Sequence, residues 1–158
     1  EAKKYLNEIQ AIREKGLREN YFKRTEYLKV WELEIQTAIK LFSKDYNGAI
    51  ELAKQAVLLE EKLPAPSGPP RILKPSYELL GEVYLKASKP IQAHEKFSIS
   101  LLRHPNRIRS LVGAARAADA KGDREVAVEN YQRVIRQFKN SNSGLPELNE
   151  ARKFLRGK

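Results

Sequence analysis

The side chains whose chemistry could be catalytic are few in this chain. The two histidines, His94 and His104, lie ten residues apart with no obvious carboxylate companion. The chain has no cysteine, which excludes disulfides and thiolate metal sites. It also has no glycine-rich phosphate loop and no nucleophile motif. We therefore predict a protein that is not an enzyme and that uses no metal ion and no cofactor.

Four charged residues have spacings that favour recognition instead. Glu78 and Glu82 are four residues apart, and Arg109 and Arg116 are seven apart. If these segments are helical, each pair lies on a single face. An acidic strip beside a basic strip would orient an extended peptide of mixed charge. The alternative is that the strips neutralise each other as ion pairs between helices, each contributing about 1 kcal/mol or less when exposed.

A pattern between residues 75 and 105 indicates the elements that position these charges. Its order is Tyr77-x2-Leu80-Gly81-x2-Tyr84, then Ala93-x3-Phe97, then Pro105. On a helical hairpin, Leu80 and Tyr84 share one face, and Gly81 lets the second helix approach closely. The order resembles the tetratricopeptide repeat (TPR), with tyrosine where the repeat prefers tryptophan.

The same pattern recurs 34 residues later. The equivalent positions hold small or apolar residues: Leu111, Ala114, Ala115, Ala118, Ala127 and Tyr131. Gly122 and Asp123 follow the first of these helices, glycine being suited to ending one helix and aspartate to capping the next. The register predicts two consecutive repeats, over residues 76–107 and 108–141.

The N-terminal part is expected to add one helix and one further hairpin. Residues 1–24 predict a helix with an apolar stripe at Tyr5, Leu6, Ile9, Ile12 and Leu17. Residues 25–62 predict a degenerate TPR-like hairpin, with Ala38 at the small-residue position of its first helix. The apolar face expected for that first helix is Leu28, Trp31, Ile35, Ala38, Leu41 and Phe42, widened by Val30, Leu33 and Ile39. A helix that is apolar over so much of its surface is expected to lie between neighbours. With this hairpin the chain has the three units that stacked repeats need.

Two further segments complete the prediction. Residues 63–75 are proline-rich and read as an extended loop between repeats, although residues 66–71 also satisfy the PxxPxR form of an SH3-domain ligand. Residues 145–158 predict a capping helix that begins at Pro146. Its apolar face consists of Leu148, Ala151, Phe154 and Leu155. The fold predicted for residues 1–158 is all-α, a single domain of about three TPR-like helix pairs in a right-handed superhelix.

The resemblance extends over about residues 45–155, to a group of bacterial TPR proteins of unassigned function. It is carried by the runs at 68–70, 78–82, 105–107 and 146–148. It implies a protein-interaction scaffold that holds a peptide in a concave groove. The groove residues that it implies are Glu78, Glu82, Lys86, Arg109, Val112, Arg116 and Asp119. The resemblance also implies an exported, periplasmic location. Glutamates at 78 and 82 replace the lysine and asparagine of repeats that grip chaperone C-termini, so that partner is disfavoured.

The net charge of the chain also allows a second class of partner. The net charge is +10, and residues 63–158 carry 18 basic and 9 acidic side chains, against 12 and 11 in residues 1–62. Such a surface favours acidic partners. The alternative function is therefore a binder of nucleic acid or another polyanion through Arg103, Arg107, Arg109 and Arg116. No apolar run reaches membrane-spanning length, so membrane insertion is not expected, and the sequence leaves the oligomeric state open.

Overall fold

The computed structural model describes residues 1–19, 22–64, 72, 74–139 and 144–157. These residues form eight α-helices and no strand, which confirms the all-α prediction for this part of the chain. The helices are α1 (Ala2–Arg18), α2 (Phe22–Phe42), α3 (Tyr46–Glu60), α4 (Ser76–Lys86), α5 (Pro90–Arg103), α6 (Ile108–Ala120), α7 (Arg124–Gln137) and α8 (Pro146–Arg156).

The helices group into two compact units, Glu1–Ala87 and Ser88–Lys158. In the first unit, α2 packs against α1 and α3, and α4 packs against α3 and α2. In the second unit, α6 packs against α5 and α7, and α8 packs against α7 and α6. Each unit therefore has the packing of a helical repeat, in which a helix contacts its neighbours and the next helix but one.

Short sequence signals set the helix boundaries. Asp45 precedes α3, and its carboxylate accepts a hydrogen bond from the amide of Gly48 at 2.9 Å. Asp123 caps α7 in the same way, through the amide of Val126 at 3.3 Å. Gly122, in the turn after α6, has a φ of 87°. Residues other than glycine rarely adopt this backbone conformation. The first helical residue of α8 is Pro146, as expected.

The positions predicted to form helix contacts in the second repeat are buried. All six residues have relative exposures of 2% or less: Leu111, Ala114, Ala115, Ala118, Ala127 and Tyr131. A core in this unit joins α6, α7 and α8, and contains Leu111, Tyr131, Val134 and Leu148. The apolar face of α8 therefore lies against the two helices that precede it.

The face predicted for α2 is wrong in two places. Phe42 is 92% exposed, and Ala38 is also exposed. Val30 and Leu33 are buried, in agreement with the widened apolar face, and so is Thr37, which the apolar pattern does not include. Thr37 tolerates burial because its hydroxyl donates a hydrogen bond to the carbonyl of Leu33 at 2.7 Å. Because α2 has neighbours on more than one side, periodicity alone does not select the face that the core covers.

The apolar stripe of α1 is only partly covered. Leu6 and Ile9 are half-buried, whereas Tyr5 and Ile12 are 56% and 58% exposed. The helix is also held by an ion pair from Arg13 to Glu32 of α2, whose side chain is fully buried. Lys29 donates to the second carboxylate oxygen of Glu32 at 3.0 Å.

Some sequence predictions fall on parts of the chain that the structure does not describe. Residues 65–71, with the SH3-ligand form, and residue 73 lie outside the described residues, as does most of the predicted 63–75 loop. Within the ranges described, no helix is long and apolar enough to cross a membrane.

Candidate functional site

The first three predicted groove residues lie on α4 in the first unit. Glu78 is fully buried, so its side chain is not exposed to a partner. Glu82 forms an ion pair with Lys74, the second residue before α4, and its side chain is 36% exposed. Lys86, the last residue of α4, is exposed. The predicted groove residues that α4 leaves at least partly exposed are therefore Glu82 and Lys86.

The other four predicted groove residues lie on α6 in the second unit. Val112 is 1% exposed and belongs to the core that contains Leu148, which removes it from any binding surface. Arg109 and Arg116 have side chains that are 58% and 54% exposed. Asp119 is also exposed. Of the four predicted groove residues on α6, the three charged ones are therefore exposed, and the valine is buried.

Both arginines of α6 pair with glutamates of α8. The Nε of Arg109 lies 3.6 Å from a carboxylate oxygen of Glu147. Arg116 donates two hydrogen bonds to Glu150, one of them from Nε at 2.7 Å. A bidentate pair of this kind fixes the geometry of both partners. The basic strip predicted from the sequence is thus neutralised within its own unit. Its expected position beside the acidic strip stays a prediction.

Glu150 also accepts a hydrogen bond from the hydroxyl of Tyr131 on α7, at 2.8 Å. Burial raises the pKa of Glu150, but the hydrogen bonds from Arg116 and Tyr131 outweigh it and bring the pKa below the ordinary value. The ring of Tyr131 in turn lies 4.6 Å from that of Phe154, centroid to centroid. One residue of each helix, α6, α7 and α8, therefore meets at a single carboxylate.

A second group of charged residues lies in the first unit, where α2, α3 and α4 meet. We call it the polar cluster, and it consists of Glu34, Glu60, Lys74, Ser76 and Glu82. Glu60, at the end of α3, accepts a hydrogen bond at 2.6 Å from the backbone amide of Ser76, the first residue of α4. A carboxylate at that position stabilises the start of a helix.

Glu34 of α2 has the most perturbed carboxyl group of the cluster. Burial raises its pKa to about 7, the charge of Glu60 raises it as well, and the charge of Lys74 lowers it. Its Oε1 is buried and has no hydrogen-bond partner among the described residues. The same is true of the hydroxyl oxygen of Ser76, a residue that is fully buried. Buried polar atoms of native proteins are normally satisfied, so these two require an explanation.

Sequence reasoning missed Glu34. A signal for it was present, because the residue lies between Leu33 and Ile35 in an apolar stretch that is otherwise typical of a buried helix. Its companions could not have been identified in the same way. Glu60 is 26 residues away and Lys74 is 40 residues away, so only the packing of three helices brings the charges together.

The histidines contribute no comparable site. His104 follows the last residue of α5, and His94 is half-buried on the same helix. Burial lowers the pKa of His94, as does Lys121, whereas Asp123 opposes the shift. In the part of the chain that is described, no three His, Asp or Glu side chains are placed to hold a metal ion.

One open cavity of about 460 Å³ lies in the first unit, between α1, α2 and α3. Its lining combines apolar with polar and basic side chains: Lys3, Leu6, Asn7, Gln36, Ile39, Lys40 and Leu52. Lys40 is already paired with Asp45 at 2.7 Å. The cavity does not include any member of the polar cluster or any predicted groove residue.

The chain matches no protein-family model, no curated protein and no solved structure.

Proposed function

We propose that this chain is a TPR-like scaffold, a right-handed superhelix of helix pairs that binds an extended segment of another protein along its first helices. The pair that lies wholly within the second unit is α6 with α7, and its first helix is α6. Scaffolds of stacked helix pairs present such surfaces because each pair buries its apolar face against the next pair. The charged residues that remain exposed on α6, which are Arg109, Arg116 and Asp119, are then the contacts for a partner.

One observation carries the proposal. Five of the six positions that the 34-residue register makes equivalent are buried in both repeats, whereas at the first position Leu111 is buried and Tyr77 is half-buried. In the first repeat Leu80, Gly81, Tyr84, Ala93 and Phe97 are buried, and in the second repeat so are Ala114, Ala115, Ala118, Ala127 and Tyr131. A chance pair of amphipathic helices would not be expected to bury five positions in the same order.

The experiment is site-directed photo-crosslinking in an extract of the organism that makes the protein. A photoreactive amino acid would replace Asp119, which is exposed on α6. The matched control would carry the same amino acid at Gln132, which is exposed on the second helix α7. We expect one partner to be crosslinked from position 119 and not from position 132.

Specificity would be checked by a second change on the same helix. Arg109→Glu should reduce the crosslink from position 119, because Arg109 is exposed on the same helix and its distance of 3.6 Å to Glu147 is loose for an ion pair. Equal crosslinking from both positions, or a crosslink that Arg109→Glu leaves unchanged, would contradict binding along the first helices.

The alternative, a surface for nucleic acid or another polyanion, has less support. Two of its four arginines, Arg109 and Arg116, pair with glutamates of α8. The aromatic side chains of Tyr84 and Phe97 are buried and so cannot stack on bases. Retention on a nucleic-acid column distinguishes the two functions, since steep loss of binding with added salt would favour the polyanion.

A further inference from the structure

The open cavity of the first unit is a trough whose floor is formed by α2. Among the described residues, α1 and α3 each pack against α2 and not against one another. The space left between them has a volume of about 460 Å³. Pockets that hold small molecules have volumes of roughly 300–1,000 Å³, so the trough is large enough to hold one.

The apolar part of the lining comes from all three helices. Leu6 of α1, Ile39 of α2 and Leu52 of α3 line the trough, and each of them is only half-buried. These side chains therefore keep apolar surface that the described part of the chain does not cover. A ligand with an apolar chain would remove this surface from water, which favours binding.

The cationic groups of the trough start from the same end of it. Lys3 lies in the first turn of α1, and Lys40 lies in the last turn of α2. The two helices run antiparallel, because Arg13, later in α1, pairs with Glu32, earlier in α2. The trough therefore has one basic end, and its ligand should have a polar head and an apolar tail.

The charge at the basic end suits a single negative group. Lys40 is already paired with Asp45 at 2.7 Å, whereas Lys3 has no ion-pair partner among the described residues. About one turn further along each helix, Asn7 and Gln36 contribute side-chain amides, which can donate hydrogen bonds. None of the described residues that line the trough is acidic. A head group with one negative charge is therefore the best match.

We propose that the trough binds a medium-chain fatty acid in its carboxylate form. The carboxylate would accept hydrogen bonds from the ammonium group of Lys3 and from the amides of Asn7 and Gln36. The acyl chain would lie against the three apolar side chains of the trough. This site belongs to the first unit, so its ligand is additional to a partner bound along α6 and does not depend on that partner.

The test is a titration of the whole chain with octanoate at neutral pH, at which this carboxylate is ionised. The NMR signals of the side-chain amides of Asn7 and Gln36 report binding. Octanamide has the same chain without the charge, and hexanoate keeps the charge but lacks two CH₂ groups. We expect saturable shifts with octanoate and about fivefold weaker binding of octanamide. Hexanoate should bind more weakly than octanoate, by up to about fifteenfold.

A matched pair of variants tests the role of Lys3. Lys3→Gln should weaken octanoate binding about fivefold and leave octanamide binding unchanged, because only octanoate uses the positive charge. Lys4→Gln is the control, since this neighbouring lysine is exposed, pairs with Glu8 and does not line the trough. It should bind octanoate as the wild type does. The remaining NMR signals confirm that both variants are folded.

A third variant tests the apolar part of the trough. Leu52→Ala should weaken the binding of octanoate and octanamide by the same factor, because both ligands lose the same apolar contact.

Four results would overturn the proposal. They are no saturable shift at Asn7 or Gln36, equal affinity for octanoate and octanamide, equal affinity for octanoate and hexanoate, and equal octanoate binding by Lys3→Gln and Lys4→Gln. Each of them leaves the scaffold function untouched, because the crosslink from position 119 tests that function in the second unit.

Discussion

The ring of Phe97 on α5 occupies the space next to Gly113 on α6 where a side chain would begin. A Cβ atom built on Gly113 would lie 2.3 Å from Cε1 and 2.4 Å from Cζ of that ring. Phe97 is fully buried, so the ring has little room to move away. In the second unit, Gly113 therefore marks a close approach of two helices.

Gly113→Ala should destabilise the chain although alanine favours helices. The methyl group would overlap the Phe97 ring, and overpacking of this kind costs about 1–3 kcal/mol. The measurement is the free energy of unfolding by denaturant. Gly144→Ala is the control, because a Cβ at Gly144 would meet nothing within 4 Å. A Gly113→Ala variant as stable as the control would show that α5 and α6 are not packed this closely.

Glu34 should make stability fall as the pH rises. Its pKa is about 7 in the folded chain and 4.5 ordinarily, so between these values the folded state holds a proton that the unfolded state has lost. The free energy of unfolding should therefore decrease from a pH of 4.5 to about 7 and then level off. Glu34→Gln should remove this slope and, above neutral pH, stabilise the chain by on the order of 1–3 kcal/mol.

Exposed Glu14 provides the control for that slope. Glu14→Gln removes one charge as well and should keep the decline that Glu34 causes. Denaturant unfolding at several pH values compares the two variants with the wild type. The burial of Glu34 would be refuted by a Glu34→Gln variant whose pH profile matches that of Glu14→Gln.

Glu150 should have the opposite effect to Glu34 on the pH dependence of stability. Its pKa is below the ordinary 4.5, because the hydrogen bonds from Arg116 and Tyr131 outweigh burial. The stability it contributes is fully present above 4.5 and is lost as the pH falls through the folded-state value. Glu150→Gln should cost about 1 kcal/mol or less at neutral pH, since solvent screens this half-exposed pair.

Acid unfolding curves test that contribution. The loss of stability below 4.5 should be shallower in Glu150→Gln than in the wild type. Glu129→Gln, an exposed position on α7, should retain the wild-type curve. Identical curves for the two variants would mean that Glu150 does not connect α6, α7 and α8.

Removal of residues 145–158 should make the chain associate. The deletion takes away Leu148 and the rest of α8, and exposes Leu111, Val112 and Val134 of the core in the second unit. Light scattering would measure the association, and a thermal melt would measure the loss of cooperativity. Full-length Leu148→Ala is the control, which should lose about 2–5 kcal/mol without new association. If the truncated chain kept the oligomeric state and the thermal melt of the intact chain, α8 would not act as a cap.

Much of the helix packing in the second unit could be predicted because it repeats. The residues 34 positions earlier predict helix contacts at Leu111, Ala127 and Tyr131, and all three are buried. The turn at Gly122 and Asp123 was also predictable, because a positive φ and a helix cap each select a small set of residue types. Local conformation and a sequence period were sufficient for these features.

The remaining features depend on contacts between distant parts of the chain. Phe42 is exposed and Thr37 is buried because the neighbours of α2, rather than its own pattern, decide which face is covered. Glu34 acquires its raised pKa from helices that follow it, and Arg109 and Arg116 meet glutamates that the sequence does not connect to them. Charged surfaces are therefore harder to predict than apolar ones, since a periodic pattern does not identify the partner of a charge.

The low burial of α1 has a consequence for the order in which the helices unfold locally. No residue of α1 is fully buried, and its link to Glu32 runs through the single side chain of Arg13. The free energy of local opening follows buried contacts, so the backbone amides of α1 should exchange with deuterium well before those of α6, in which eight residues are buried. A protease should then cut α1 while the other helices of the first unit remain folded.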